Sequence, residues 1–394
     1  MSATGPGRAV KAPLAVAYGT LFFSLGVYMP FFPLWLTARG LSPGEIGAAI
    51  AVPLFTRLLA TPLLGILSDR IGRPRAVLAV LAGLTVIAML VLSQAQAPLA
   101  IYVVLGLAAM AWNPSFSLLD AYATRQARAG RVDYGRSRLW GSATFILANL
   151  AGGFLIAKAG ASAVMVLILV GQASFLAAML ALPELARAPV VAAPHLALPR
   201  AGVMLVLGVL AAALVQASHA TLYAFSSVHW SERGLSLGVI GGLWALGVVS
   251  EILLFRFGTQ VLRRIGPLWL LAAGGIAALV RFSALALDPP LWALIPLQLL
   301  HGATFGATYL GLVELVARTT PEHRAGTAQS IAGWTVSLAM SIASFAAGQL
   351  WVRMGHDAFF ASAALGLCGA LLALTARALQ PQRSGEGGKT VEPS

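Results

Sequence analysis

The chain has 394 residues, 59% of them hydrophobic and only 10% charged, with a mean hydropathy of +0.85. A water-soluble protein of this length could not hide that much apolar surface, so lipid must solvate most of it. The single cysteine, Cys368, excludes a disulfide framework and any Cys-based metal site. A net charge of +13 would suggest nucleic acid in a soluble chain. Here the charges sit in short loops between apolar runs, where a positive-inside bias explains them.

Apolar runs of about 20 residues, enough to cross a bilayer, recur along the whole chain. The first half reads as spans 14–36, 45–67, 75–94, 99–121, 139–157 and 162–182. The first run ends in Pro30, Pro33 and Trp35 with no small-residue cleavage site after it, so it reads as a retained span and not a signal peptide. Residues 183–202 hold four prolines and no apolar periodicity, which reads as a linker. The second half reads as 203–228, 239–258, 268–287, 291–316, 327–350 and 358–378, and the polar residues from about 381 read as a disordered tail. The expected domains are therefore a bundle over 1–182, the linker 183–202, a bundle over 203–380 and the tail 381–394. With the N-terminus inside, inner loops and tails carry 20 of the 26 Lys and Arg, and outer loops carry four: Arg39, Lys158, Arg233 and Arg353. The fold class predicted is an all-α membrane protein of twelve transmembrane helices in two six-helix bundles, with both termini on the inner side.

The two halves repeat each other in the same direction. Residues 39–47 read Arg-Gly-Leu-Ser-Pro-Gly-Glu-Ile-Gly and residues 233–241 read Arg-Gly-Leu-Ser-Leu-Gly-Val-Ile-Gly, 194 positions apart. At the same offset Ile71-Gly72 falls on Ile265-Gly266, Arg57 on Glu251 and Asp120 on Glu314. Such a repeat in a strongly apolar chain marks a two-bundle transporter with its site between the halves.

A charge within hydrocarbon costs at least about 2.5–3.5 kcal/mol, so the few that occur there are candidates for function. Arg57 lies near the middle of the second span, Glu251 in the eighth and Arg281 late in the ninth. Asp120 and Glu314 stand toward the inner ends of the fourth and tenth, and His219 and His301 lie within the seventh and tenth. Paired structural charges or snorkelling end residues are the plain alternative, and a lone membrane histidine more often only packs a bundle. The repeat makes Arg57 and Glu251 equivalent with opposite charge, and Asp120 and Glu314 equivalent and both acidic. Two bundles related by an axis along the membrane normal can bring such positions to one cavity. That cavity would hold a cation for an anionic substrate and carboxylates for protons. Aromatic residues at Tyr28, Trp112, Phe116, Tyr223 and Trp244 are candidates for stacking on a substrate ring, although most membrane aromatics pack the core or the interfacial belt.

Gly65-Ile66-Leu67-Ser68-Asp69-Arg70-Ile71-Gly72-Arg73-Pro74-Arg75 resembles the signature between helices 2 and 3 of the major facilitator superfamily, G-x-x-x-D-R-x-G-R-[KR]. Pro74 departs from it by taking the last basic slot. The candidate gate residues are Gly65, Asp69, Arg70, Gly72 and Arg73, with Asp69 able to latch a helix N-terminus or an arginine. In the second half Arg263 stands where Asp69 would map, so such a latch is one-sided.

The segments Tyr28–Leu36, Asp133–Ser142 and Trp244–Glu251, the last followed by Leu262-Arg263-Arg264, are similar to the phenylpropionate:proton symporter family. The lactose permease family is a more distant resemblance. It implies sugar-binding roles for Asp120 and Arg138, and substrate or proton-coupling roles for Glu251, Arg281 and His301. The permease pattern of a glutamate three residues after the histidine is broken by Thr304, which leaves Glu251 or Glu314 to carry the proton.

Taken together, the sequence predicts a secondary transporter of a small organic solute, working by alternating access and coupled to protons. An aromatic carboxylate is favoured by the resemblance, with a sugar, a nucleoside, or drug or lipid export by the same fold as alternatives. No phosphate-binding G-x-x-x-x-G-K-[ST] and no H-E-x-x-H motif occurs, which argues against an ATP motor and against a membrane metalloenzyme. Neither a cofactor nor a metal is called for. The partners expected are the solute, protons and the lipid bilayer, with no nucleic acid, for a monomer in a bacterial cytoplasmic (inner) membrane.

Overall fold

A computed structural model describes residues 8–185 and 202–380. Most of the predicted linker and all of the predicted tail lie outside the described residues. The first half runs through α1 (Arg8–Ala38), α2 (Pro43–Ile71), α3 (Pro74–Gln94), α4 (Pro98–Arg128), α5 (Tyr134–Ala159) and α6 (Ser162–Ala181). The second runs through α7 (Val203–Glu232), α8 (Leu237–Arg256), α9 (Pro267–Ala286), α10 (Leu291–Thr319), α11 (Glu322–Met354) and α12 (Phe359–Ala378). Helical, apolar sequence runs on for 55 residues from Arg324 to Ala378. As one straight helix it would be about 80 Å long against a hydrocarbon core of about 30 Å. Gly355, at φ 56°, breaks it between α11 and α12, and the chain crosses twice. Among the described residues there is no strand.

Several helices outrun their apolar cores. α4 continues to Arg128 and α11 begins at Glu322, beyond the 99–121 and 327–350 that hydropathy marks. Polar, helix-compatible ends carry the helices past the lipid. The amphipathic helix Gly258–Ile265, between α8 and α9, was not foreseen, because eight residues are too few to register as a span.

The repeat is realised contact by contact. Ser42 caps α2 in a capping box with Glu45, and Ser236, 194 residues on, caps α8 at the Val239 amide. Arg39 donates to the carbonyls of Ser93 and Ala95 at the end of α3. Arg233 donates to the carbonyl of Pro289, the repeat equivalent of Ala95, just beyond α9, at 2.9 Å. Gly72 closes α2 in the left-handed region at φ 68°, a conformation that costs glycine nothing.

Close contacts between the halves gather at the end carrying the α1–α2 turn. A Cβ built on Gly47 would stand 2.6 Å from Gly348 of α11, one on Gly153 2.3 Å from the Leu237 carbonyl, and one on Gly241 2.0 Å from the Asn149 carbonyl. The Ser341 hydroxyl donates to the Ala51 carbonyl at 3.1 Å. These small-residue crossings let the backbones touch. Toward the α2–α3 end, Arg138 and Asp120 are more than a third exposed, at 37% and 39%. The molecule is shut at the first end and open toward the second.

Candidate functional site

Between the halves lies a cavity of about 400 Å³, within the range of small-ligand sites. α1 and α5 supply Phe22, Arg138, Ser142 and Phe145 to its wall, and α7, α8 and α10 supply Tyr223, Trp244, Glu251, Gln298, His301 and Phe305. Both halves therefore contribute, and most of the lining is aromatic or aliphatic.

Arg138 is the cation on the first-half wall. Its guanidinium lies 4.3 Å from the centre of the Phe22 ring, and its Nε stands 3.7 Å from Asp120. Asp120 in turn accepts from the Tyr18 hydroxyl at 2.6 Å and the Tyr134 hydroxyl at 3.2 Å. Asp120 thus sits behind Arg138 and holds it, with two phenols supporting the carboxylate.

Across the cavity, Glu251 of α8 faces His301 of α10, its Oε2 3.8 Å from Nε2. Arg281 of α9 is fully buried behind them. Its Nη1 donates to His301 Nδ1 at 3.2 Å and to Thr304 Oγ1 at 3.1 Å, and its Nη2 donates to Gln298 Oε1 at 2.6 Å. One guanidinium fork therefore fixes a histidine and an amide that both line the cavity. Because Gln298 Oε1 faces a group that can only donate, its –NH2 is the end left for a solute. The ordinary α-helix of α10 gives way to a π-helical turn over Gly302–Ala307, an arrangement that clusters at functional sites. Gly302 donates its amide to Ser250 Oγ at 2.9 Å, pinning this turn to α8.

Arg138, Tyr223, Trp244, Glu251 and His301 come together at the cavity, with Asp120 and Arg281 directly behind. The other sequence candidates stand elsewhere. Tyr28, Trp112 and Phe116 line a separate space of about 40 Å³ among the first four helices, adjoining the main cavity through Leu25. Phe116 packs edge-on to Phe22 at 5.2 Å, which makes these rings a wall behind the cavity. Arg57 is outside the cavity lining and makes no hydrogen bond or ion pair with a described residue. Glu314 pairs with Arg318 one helical turn later at 2.6 Å, away from the cavity. The equivalent positions of the repeat thus do not meet.

At the α2–α3 turn, Asp69, Arg70 and Arg73 flank the Gly72 cap, with Gly65 about two turns earlier in α2; Asp69 is exposed and makes no bond with a described residue. Arg75 and Glu184 tie this end instead. Arg75 donates to the Met179, Leu180 and Leu182 carbonyls ending α6, at 2.9, 2.7 and 3.2 Å. Glu184 accepts from the Arg75 and Ala76 amides starting α3, at 3.1 and 3.0 Å. Sequence reasoning missed Gln298 and Thr304 as site residues. Both lie three residues from His301, on one helical face, and that spacing was the signal.

A family model described as MFS_1 like family matches residues 12–362. The chain belongs to this family. It is a transporter and not an enzyme, of the major facilitator type, and a multi-pass membrane protein. It is 29% identical over 379 residues to a probable 3-phenylpropionic acid transporter of Escherichia coli (strain K12), covering 94% of this chain and 97% of that protein. It is 27% identical to a maltose permease of Geobacillus stearothermophilus, covering 82% of each. Among solved structures, the nucleoside transporter NupG superposes with a TM-score of 0.80 at 17% identity, over 93% of the transporter described here and 98% of NupG. A D-xylose-proton symporter gives 0.73 at 17% identity, over 95% and 99%. At such identities these two structures show the fold alone.

Proposed function

We propose that this transporter carries an aromatic carboxylate together with a proton across the bacterial cytoplasmic membrane, as a monomer with both termini inside. The two bundles would be 1–182 and 203–380, rocking about the central cavity. The observation that carries this reading is the division of that cavity: a guanidinium among aromatic rings on one wall, a carboxylate facing a histidine on the other. Arg138 offers its N–H groups to a solute carboxylate, the planar pairing at which guanidinium excels. Phe22, Phe145, Trp244 and Phe305 give a ring faces and edges to pack on. Glu251 takes the proton. A charged Glu251 beside a loaded anion would repel it, and protonation removes the repulsion, so proton and solute load together. The relative named as a probable 3-phenylpropionic acid transporter supports the substrate class.

The test is uptake of 3-phenylpropionate into proteoliposomes under an imposed pH gradient. Glu251→Gln, a permanently neutral mimic of the protonated acid, is expected to abolish gradient-driven accumulation while retaining exchange of solute for solute. Arg138→Gln is expected to raise KM about tenfold or more, the loss of a charge-assisted pair. Glu251→Gln with an unchanged pH dependence would sink the coupling assignment. Equal uptake of maltose or a nucleoside, with Asp120→Asn as damaging as Arg138→Gln, would favour a sugar or nucleoside instead. That second reading rests on the Asp120–Arg138 pair and on the maltose permease likeness.

A further inference from the structure

His219 is fully buried, and nothing in the proposed mechanism uses it. It stands where α7 is broken, between the helical stretches Val203–Ala217 and Ala220–Glu232. Its Nδ1 lies 3.2 and 3.1 Å from the Val215 and Gln216 carbonyl oxygens, its Nε2 2.9 Å from Thr304 Oγ1. The ring also lies edge-on to His301, 5.3 Å between centres.

These partners settle the hydrogen placements. Carbonyl oxygens only accept, so in the neutral ring Nδ1 carries the proton and Nε2 its lone pair. Thr304 therefore donates its hydroxyl hydrogen to His219. Its oxygen is left to accept from Arg281 Nη1, which only donates, at 3.1 Å. The same Nη1 donates to His301 Nδ1, so His301 carries its proton on Nε2, toward Glu251. Every hydrogen bond in the sequence α7 carbonyls, His219, Thr304, Arg281, His301 thus has one allowed direction, and the sequence ends with His301 Nε2 3.8 Å from Glu251.

We propose that His219 is a positioning residue for proton coupling: as the acceptor for Thr304 it holds Arg281, and through Arg281 it holds His301 with its Nε2–H toward Glu251. This rests on Glu251 being the proton carrier. It ties the break in α7 to the π-helical turn of α10, so a movement of α7 during transport would be felt at Glu251. The groups facing Glu251 are His301 from α10, Tyr223 from α7 and, across the cavity, Arg138 from α5, with Arg281 of α9 behind His301. A loss of His219 acts on the one of these that it orients.

The experiment measures gradient-driven uptake and solute exchange of 3-phenylpropionate, each from pH 5 to 9, in proteoliposomes. The variants are His219→Gln, His219→Leu, Thr304→Val and Glu251→Gln. His219→Gln keeps an acceptor for Thr304 and should keep the wild-type pH profile. His219→Leu should lose about tenfold in driven kcat and displace the profile, with the KM for exchange within about threefold of wild type. Thr304→Val, nearly isosteric, should reproduce that pattern even if His219→Leu fails to insert. A wild-type profile in Thr304→Val, or a His219→Gln as defective as His219→Leu, overturns the proposal. If Glu251→Gln keeps its pH dependence, the proton-carrier reading itself has failed. If Glu251→Gln loses it while Thr304→Val does not, only the role of His219 has failed.

Discussion

Replacing Gly241 by alanine should tip the transporter away from the conformation described. Gly241 opens α8 where it crosses α5, and a Cβ there would sit 2.0 Å from the Asn149 carbonyl oxygen. Real carbon–oxygen contacts do not come so close, and the obstacle is backbone, which cannot rotate aside. Asn149 is held from its other side as well, its Nδ2 donating to the Phe145 and Gly26 carbonyls at 2.7 and 3.3 Å. The gain in helix propensity from glycine to alanine, about 1 kcal/mol, applies in every conformation and cancels between them. What remains is an overpacking cost of about 1–3 kcal/mol borne only where the α1–α2 end is shut. At 1.4 kcal/mol per decade, that multiplies the ratio of open to shut at this end by about 5–150. The readout is alkylation of a cysteine placed at Ser142, in the cavity wall, after Cys368→Ser. A membrane-impermeant maleimide is applied from the α2–α3 face and, in vesicles of opposite orientation, from the α1–α2 face. Gly241→Ala should slow labelling from the first face and speed it from the second. Unchanged rates from both faces, in protein that inserts normally, would show that the α5–α8 crossing does not hold this end shut.

Two further outcomes follow from the same geometry. Glu184→Gln removes the charge that caps the first amides of α3 and should lower the melting temperature by about 2 °C, checked by a fluorescence melt in detergent. No change would mean that Arg75 alone secures the α3–α6 junction. Arg57→Ala should leave 3-phenylpropionate uptake within about twofold of wild type, because Arg57 is outside the cavity lining and has no described partner. A tenfold rise in KM would return the anion site to α2.

The spans, their number and the matched turns at Arg39 and Arg233 were legible because hydropathy and a long repeat are properties of sequence order. So were Glu251, His301 and Arg281, since charge inside an apolar run is conspicuous. Which way a side chain turns was not legible. The offset of 194 puts Asp120 and Glu314 at one height but fixes nothing about rotation. The π-helical turn at Gly302–Ala307 takes up an extra residue, and one residue turns a helix by about 100°. Downstream of it Glu314 pairs with Arg318, whereas Asp120 reaches Arg138. The break at His219 was hidden for a similar reason: the seventh apolar run is continuous in hydropathy, and only the backbone shows that its hydrogen bonding is interrupted.

The pattern of what the halves share and where they differ carries its own argument. At the α1–α2 end the repeat keeps the same cap and the same arginine-to-carbonyl tie in each half. Arg39 and Arg233 each fasten a turn to the end of the helix after next. Such ties make each half stiff at the place where the two press together, which a rocking motion about that contact requires. At the cavity the symmetry is gone: Arg138 with its supporting acid faces from the first half, and the Glu251–His301–Arg281 cluster from the second. A cavity with identical walls would hold solute and proton by the same groups, and each would compete with the other. With unlike walls, on the proposed assignment, the first half holds the solute's carboxylate and the second takes the proton, while rings from both halves pack on the solute. The contacts from His219 to Glu251 lie wholly within the second half, so the α7 break can register movement without disturbing Arg138.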